Sequence, residues 1–116
     1  MKNNSRGKIS EFIARIYFRL KGYKIVAKNY VTGKGTHAGE IDFIACKKKT
    51  LVFVEVKERT SLEKAAYALR AEQQMRIRKA AENFIAKHQK YDGFDYRFDA
   101  VFISFPLKIE HLENAF

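Results

Sequence analysis

Cysteine occurs once in these 116 residues, at Cys46, so no disulfide forms within the chain. The three histidines, His37, His88 and His111, stand apart from one another, and a zinc framework of Cys and His has no ligand set to draw on. Such sparing use of cysteine fits a reducing compartment, so a cytoplasmic location is expected. No apolar run approaches the roughly 18 residues of a membrane span. The first residues, Met-Lys-Asn-Asn-Ser-Arg-Gly, lead into a helix with charges spaced through it, not into the apolar centre of a signal peptide. Repeats, low-complexity tracts and linkers are missing, and residues 1–116 read as one domain. Acidic residues are in deficit, 13 against 23 Lys plus Arg, for a net charge of +10. Solubility alone does not need so much charge of one sign. It points to a polyanion, with DNA ahead of an anionic membrane. DNA is therefore the expected partner, with no membrane and no small-molecule cofactor. Apolar residues make up 47% of the chain, enough for a core and too many for a disordered basic tail.

Those apolar residues fall into periodic runs. From Ile9, the residues Phe12, Ile13, Ile16, Tyr17 and Leu20 recur at helical spacing, and Gly22 supplies the stop. A first strand is expected over Tyr23 to Tyr30, then a glycine-bearing loop, then strands over Glu40 to Cys46 and Leu51 to Lys57. Arg59 to Lys64 is polar. A long helix over Ala65 to His88 lines up Leu69, Ile77, Ala80, Ala81, Phe84 and His88 on one face. Gly93 marks a turn, Arg97 to Phe105 alternates as a strand, Pro106 breaks it, and Leu107 to Leu112 adds an edge strand. The order is α-β-β-β-α-β-(β), an α/β fold with a mixed β-sheet flanked by helices.

The connection between the second and third strands is too short for a parallel crossover, so they form an antiparallel hairpin. With the turn at Lys48-Lys49, Cys46 faces Leu51, Ile44 faces Phe53, Asp42 faces Glu55 and Glu40 faces Lys57. The other face carries Ile41, Phe43, Ala45, Val52, Val54 and Val56, all apolar. Two opposed carboxylates repel, and an apolar setting penalises each charge further. A divalent cation resolves the conflict. Mg²⁺ takes oxygen ligands at about 2.0–2.1 Å and binds one or two carboxylates together with water and phosphate oxygens. Asp42 and Glu55 are the candidate metal ligands for Mg²⁺ or Mn²⁺, and Lys57 is placed to assist an attacking water or offset phosphate charge. The same residues also have a plainer use: Glu40 with Lys57 as a cross-strand ion pair, and Asp42 as the partner of an arginine.

Asp42, a spacer and then Glu55-Val56-Lys57 resembles the acidic-x-Lys core of the PD-(D/E)XK nuclease superfamily. A closer likeness runs through Gly7-x-x-Ser10-Glu11-x-x-Ala14, Gly22-Tyr23, Asn29-Tyr30, Gly39-Glu40-Ile41-Asp42-Phe43-Ile44-Ala45, Leu51 to Lys57, Arg97-Phe98-Asp99 and Asn114-Ala115-Phe116. In these stretches the chain resembles the YraN family, small bacterial proteins with a restriction-endonuclease-like fold similar to Holliday junction resolvases. The resemblance implies that Asp42 and Glu55 bind metal, that Lys57 assists the nucleophile, and that Glu11 is a first-helix acid able to reach the metal. It also implies self-association as a homodimer. Two positions depart from the family: Ser10 stands where Gly is usual, and Gln73 where many members carry Lys.

Glu11 projects away from the Ile9/Ile13/Ile16/Leu20 stripe, beside Gly7, Ala14 and Phe18, and Arg15 one turn on is a local partner for it. Gln73 falls on the apolar side near Leu69 and Ile77. Asp99 reads as one half of a structural salt bridge, and His37 as a loop residue. Gly33-Lys34-Gly35-Thr36 lacks the Walker spacing and reads as a flap that meets DNA. Lys47, Lys48 and Lys49 at the hairpin tip, with Arg76 and Lys79 on the long helix, are the candidate phosphate contacts. The leading expectation is a metal-dependent endonuclease-like protein acting on branched or non-canonical DNA. Two alternatives remain: an inactive nucleic-acid-binding or scaffolding module on a nuclease fold, and a protein-interaction partner whose charge serves a membrane or RNA.

Overall fold

The first helix, α1 (Asn4–Leu20), ends where Gly22 allows it to. Gly22 takes φ 96°, its N–H donates to the Arg19 carbonyl at 3.0 Å, and the Tyr23 N–H donates to the Phe18 carbonyl at 3.0 Å. This is the Schellman pattern, completed by the Tyr23 ring against Phe18 at 4.8 Å. The chain then runs through β1 (Lys24–Thr32), β2 (Gly39–Lys47), β3 (Thr50–Glu58), α2 (Ala71–Lys87), a 3₁₀ turn (Gln89–Tyr91), β4 (Asp95–Ser104) and β5 (Lys108–Leu112). The computed structural model describes residues 4–32, 39–58, 71–105 and 107–116, without the side chains of residues 4–6 and 71–73. The glycine-bearing loop with His37, the Arg59 to Lys64 segment, Leu69, Pro106 and the Gln73 side chain lie outside the described residues.

The five strands form one mixed sheet in the order β1-β2-β3-β4-β5. All neighbours are antiparallel except β3 and β4, whose parallel pairing requires the chain to cross from one end of the sheet to the other. The α/β order expected from periodicity is the order found. Each face of the sheet has its own core. Phe43, Ala45, Val52, Val54, Val56, Val101 and Ile103 pack with Ala14 and Phe18 of α1. Ile44, Leu51 and Phe53 pack with Ile77, Ala80, Ala81 and Phe84 of α2. The α2 face is thus the one its spacing indicated, with His88 stacked on Phe84 at 4.0 Å.

Two side-chain directions differ from expectation. Helix α1 does not turn its Ile9/Ile13/Ile16/Leu20 stripe to the core as a whole: Ser10, Ala14 and Phe18 turn inward and Ile13 is partly buried beside them, while Ile9, Phe12, Ile16 and Leu20 face outward. On the sheet beneath, Phe43, Val52, Val54 and Val56 accept the small Ala14 at close approach and the Phe18 ring, which meets Phe43 edge-on at 5.2 Å. Ile41 also leaves the row of Phe43 and Ala45 and joins the α2-side core with Ile44. Strand β1 is irregular opposite. Tyr30 pairs with Ile41 and Lys28 with Phe43, and Asn29 between them takes φ 51°.

Candidate functional site

The hairpin register holds from Lys47 opposite Thr50 to Phe43 opposite Val54 and then stops. Below that point β2 remains paired with β1, through Ile41, Glu40 and Gly39. Strand β3 remains paired with β4, from Glu55 through Glu58. The two central strands therefore part at Asp42 and Glu55. The expected direct pairings of Asp42 with Glu55 and of Glu40 with Lys57 are not continued in the ladder. An N–H turned into such a gap loses its cross-strand carbonyl and needs another acceptor. Asp42 supplies it: the Val56 N–H donates to Asp42 Oδ2 at 2.7 Å, in the short range of charge-assisted bonds.

Asp42 and Glu55 are 9% and 7% exposed, so both carboxyls sit below the surface at this fork. Lys57 Nζ lies 2.9 Å from Glu55 Oε2. Strand alternation accounts for that contact, because residues two apart share a face. The Glu55/Lys57 row continues that of Leu51 and Phe53, the α2 side of the sheet. The plainer pairing of Glu40 with Lys57 gives way to Lys57 with Glu55, and Glu40 lies exposed opposite Val31.

Glu11 lies half-buried on α1, the helix that covers the other face of the sheet. Helix α1 finishes beside the hairpin tip, where the Lys47 ammonium donates to the Lys21 carbonyl at 2.7 Å. Beside half-buried Glu11, the Ser10 hydroxyl is buried without a hydrogen-bond partner among the described residues. Among the described residues no three His, Cys, Asp or Glu side chains gather into a metal-binding group. The cation-binding capacity of the fork therefore rests on two carboxylates. They are hard oxygen donors, suited to Mg²⁺ or Mn²⁺ with water and phosphate completing the shell.

The basic residues divide between the two ends of the sheet. Arg76 is at the fork: a Cβ on Gly39 would lie 2.7 Å from Arg76 Cβ and 3.2 Å from its carbonyl group, so α2 is pressed onto the start of β2. Gly39 also takes φ 110°, which other residues rarely adopt. Lys79 is exposed one turn further along α2. Lys47, Lys48 and Lys49 are at the other end, five residues or roughly 17 Å from Glu55 along β3. Lys47 and Lys49 also lie over the rings of Tyr23 and Phe94, at 5.3 and 5.0 Å.

A second polar cluster, built around the fully buried Asp99, holds the C-terminal residues to β4. Arg97 binds both Asp99 oxygens at 2.8 Å, His111 Nε2 lies 2.6 Å from Asp99 Oδ2, and the Asn114 N–H donates to Oδ1 at 3.0 Å. Asp99 is the salt-bridge residue expected of it. Burial pushes its pKa up, but bonds from His111, Arg97 and the Asn114 N–H outweigh burial and hold it below the ordinary carboxylate value. The Ala115 N–H donates to the Phe98 carbonyl at 2.7 Å, and Phe116 packs on the Phe98 ring. Periodicity did not point to this clasp or to the role of Gly39. The available signal for Gly39 was a glycine opening an otherwise apolar strand, a mark of close backbone approach.

The profile of uncharacterised protein family UPF0102 matches residues 10–103, a span that holds the fork, both core faces and the Arg97-Asp99 pair. The chain belongs to that family. A UPF0102 protein of Paramagnetospirillum magneticum is 40% identical over 111 residues, covering 95% of this chain and 85% of its own length. One from Nitrobacter winogradskyi is 41% identical over 110 residues, covering 95% and 90%. One from Natranaerobius thermophilus is 37% identical over 122 residues, with all of both chains covered. Among the described residues of this UPF0102 chain, no helix is long and apolar enough to cross a membrane.

Proposed function

We propose that this UPF0102 chain is a metal-dependent endonuclease-like protein that hydrolyses phosphodiesters in branched or otherwise non-canonical DNA. The observation that carries the reading is the fork. Asp42 and Glu55 are buried where β2 and β3 separate, and the Lys57 ammonium lies 2.9 Å from Glu55. The acidic-x-Lys pattern of these residues resembles the PD-(D/E)XK nucleases, and the chain as a whole the YraN family. The net charge of +10 suits a polyanionic substrate, and the lone thiol suits the cytoplasm.

Asp42 and Glu55 would hold Mg²⁺ or Mn²⁺, which supplies polarisation of a phosphoryl oxygen and a lowered pKa for water. The protein's own groups do the rest. Glu55 orients Lys57, whose Nζ carries positive charge to the place where a phosphoryl oxygen gains negative charge. The Asp42 bond to Val56 N–H fixes that carboxyl against the strand. Glu11 approaches from the α1 side as an additional acid, and Arg76 and Lys79 flank the fork for backbone phosphates. For the hairpin-tip lysines to touch the same duplex, it must lie along the sheet for roughly five base pairs at about 3.4 Å each.

A second reading, an inactive nucleic-acid-binding module on the same fold, draws on a specific feature: one oxygen of each carboxylate already serves the protein, as acceptor for Val56 N–H or partner of Lys57. The two readings separate in one assay. Purified protein and its Asp42→Ala, Glu55→Ala and Lys57→Ala variants are incubated with linear, nicked and four-way-junction DNA, with Mg²⁺, Mn²⁺ or chelator. Metal-dependent cleavage lost in all three variants supports the hydrolase. Binding without cleavage under every condition favours the module. Cleavage that survives all three substitutions refutes the assignment of these residues.

A further inference from the structure

Four large apolar side chains along α1 face solvent: Ile9, Phe12, Ile16 and Leu20 are 50%, 55%, 38% and 83% exposed. Intervals of three, four and four residues place them in one stripe along the outer side of the helix. Among the described residues, the other exposed large apolar ones, Val31, Met75, Tyr96, Leu107 and Leu112, lie apart from this stripe, as is ordinary for a protein surface. The stripe needs a different account, because the inner side of α1 already meets the needs of the core through Ala14 and Phe18.

We propose that this stripe is the contact surface of a homodimer in which α1 packs antiparallel against α1 of a second copy. Area supports it. At about 200 Å² for a fully exposed large apolar residue, the stripe offers roughly 450 Å² per copy. Two copies bury roughly 900 Å², and the adjoining exposed Arg19 brings the total near the ~1,000 Å² at which specific interfaces begin. The arrangement of the stripe supports it as well. Turned about a two-fold axis near position 14, Ile9 meets the partner subunit's Leu20 and Phe12 meets the partner subunit's Ile16. Every apolar residue then has an apolar counterpart, which is the self-complementarity of an isologous contact. The basic residues Lys8, Arg15 and Arg19 follow one flank of the stripe only, since Ile13 and Tyr17 on the other flank pack against the sheet. The two-fold axis brings these basic flanks side by side. Added salt therefore tightens the dimer, the reverse of its effect on nucleic-acid binding.

The test is the mass of the full chain, measured by sedimentation velocity over a range of protein concentrations at low and high salt. The expected result is concentration-dependent dimerisation that strengthens with salt. Ile16→Gln and Leu20→Gln each weaken it at least about tenfold while leaving the circular dichroism spectrum unchanged, because both side chains lie outside the core. Orientation is read with a short bifunctional maleimide on Cys46→Ser protein. Ile16→Cys cross-links, its two copies being offset about 6 Å along the helices, whereas Leu20→Cys, offset about 18 Å, does not. A chain that stays monomeric at every concentration overturns the proposal, as does dimerisation indifferent to both glutamine substitutions. A cross-link from Leu20→Cys but not from Ile16→Cys overturns the antiparallel arrangement. Binding of a monomer to vesicles of phosphatidylserine and phosphatidylcholine, lost in the same variants, assigns the stripe to a lipid surface and also overturns it.

Discussion

Asp42 holds a backbone donor and is also the proposed metal ligand, and two substitutions separate these roles. The Val56 N–H it accepts is buried at 2.7 Å, at the point where β3 has lost its cross-strand partner on β2. Asp42→Ala leaves that donor without an acceptor. An orphaned buried polar group costs about 1–3 kcal/mol, and loss of a bond to a charged acceptor falls at the upper part of that range. The expected loss is about 2–3 kcal/mol. Asp42→Asn keeps an oxygen in the same place and removes one of two buried negative charges, so relief of repulsion with Glu55 offsets the weaker acceptor. Its stability should stay within about 1 kcal/mol of the parent.

Urea titration followed by circular dichroism measures both effects, with the slope checked for constancy so that a midpoint change reports stability. At roughly 4 °C per kcal/mol for a chain of this size, the alanine variant melts about 8–12 °C lower and the asparagine variant within about 4 °C. Both variants should lose metal-dependent cleavage alike, because an amide is a poor ligand for a hard divalent cation. Equal destabilisation by Ala and Asn would refute the account of the Val56 bond. Full cleavage by the asparagine variant would remove Asp42 from the proposed metal site.

Three further outcomes rest on other parts of the molecule. Gly39→Ala places a Cβ 2.7 Å from Arg76 Cβ at φ 110°, so positive-φ strain and overpacking together should cost about 2–4 kcal/mol in the same urea assay. Asp99 has its folded pKa lowered, so its contribution to stability is complete above the ordinary carboxylate value and is lost as pH falls through the folded value. A pH series of melts should show this as an acid limb that Asp99→Asn flattens, and an unchanged limb would exclude the cluster as its source. Arg76→Ala and Lys79→Ala should each reduce the salt slope of DNA binding by about one unit with little change in sequence preference, as fluorescence anisotropy across a salt series would show.

The order of the elements was legible because each rests on local signals, while their ends differ from the expected ones by a residue or two at β1 and β4. Gly22 reads as a helix stop and forms a Schellman turn, and Lys48-Lys49 reads as a two-residue turn and closes the hairpin at Lys47 and Thr50. The inner face of α1 was not legible. A count of apolar residues selects Ile9, Ile13, Ile16 and Leu20, but depth of packing depends on what lies beneath. A sheet bearing Phe43 and a row of valines accepts Ser10, Ala14 and Phe18 more closely. The same misreading kept the proposed docking surface hidden, since a stripe counted as core leaves nothing outside to explain.

At the fork, alternation placed Glu55 and Lys57 in one row but gave an incomplete picture of how Asp42 is held. Strand periodicity fixes side-chain direction only where the ladder is continuous, and here it ends one step before Asp42 and Glu55. Inside an unbroken ladder every inward N–H has a carbonyl, and a carboxylate can only stand above or below the sheet. Once β2 and β3 part, the Val56 N–H becomes available and Asp42 turns to meet it, while Glu55 keeps its place in the Leu51/Phe53 row beside Lys57. Asp42 is thus held by a backbone donor of the neighbouring strand, and Glu55 by the lysine two residues on, at the point where the two strands separate. The separation follows from the partners each strand keeps, β1 for β2 and β4 for β3, so the fork is set by pairings far from the acidic pair in sequence. Substitutions that weaken those outer pairings should therefore alter the fork before they unfold the sheet.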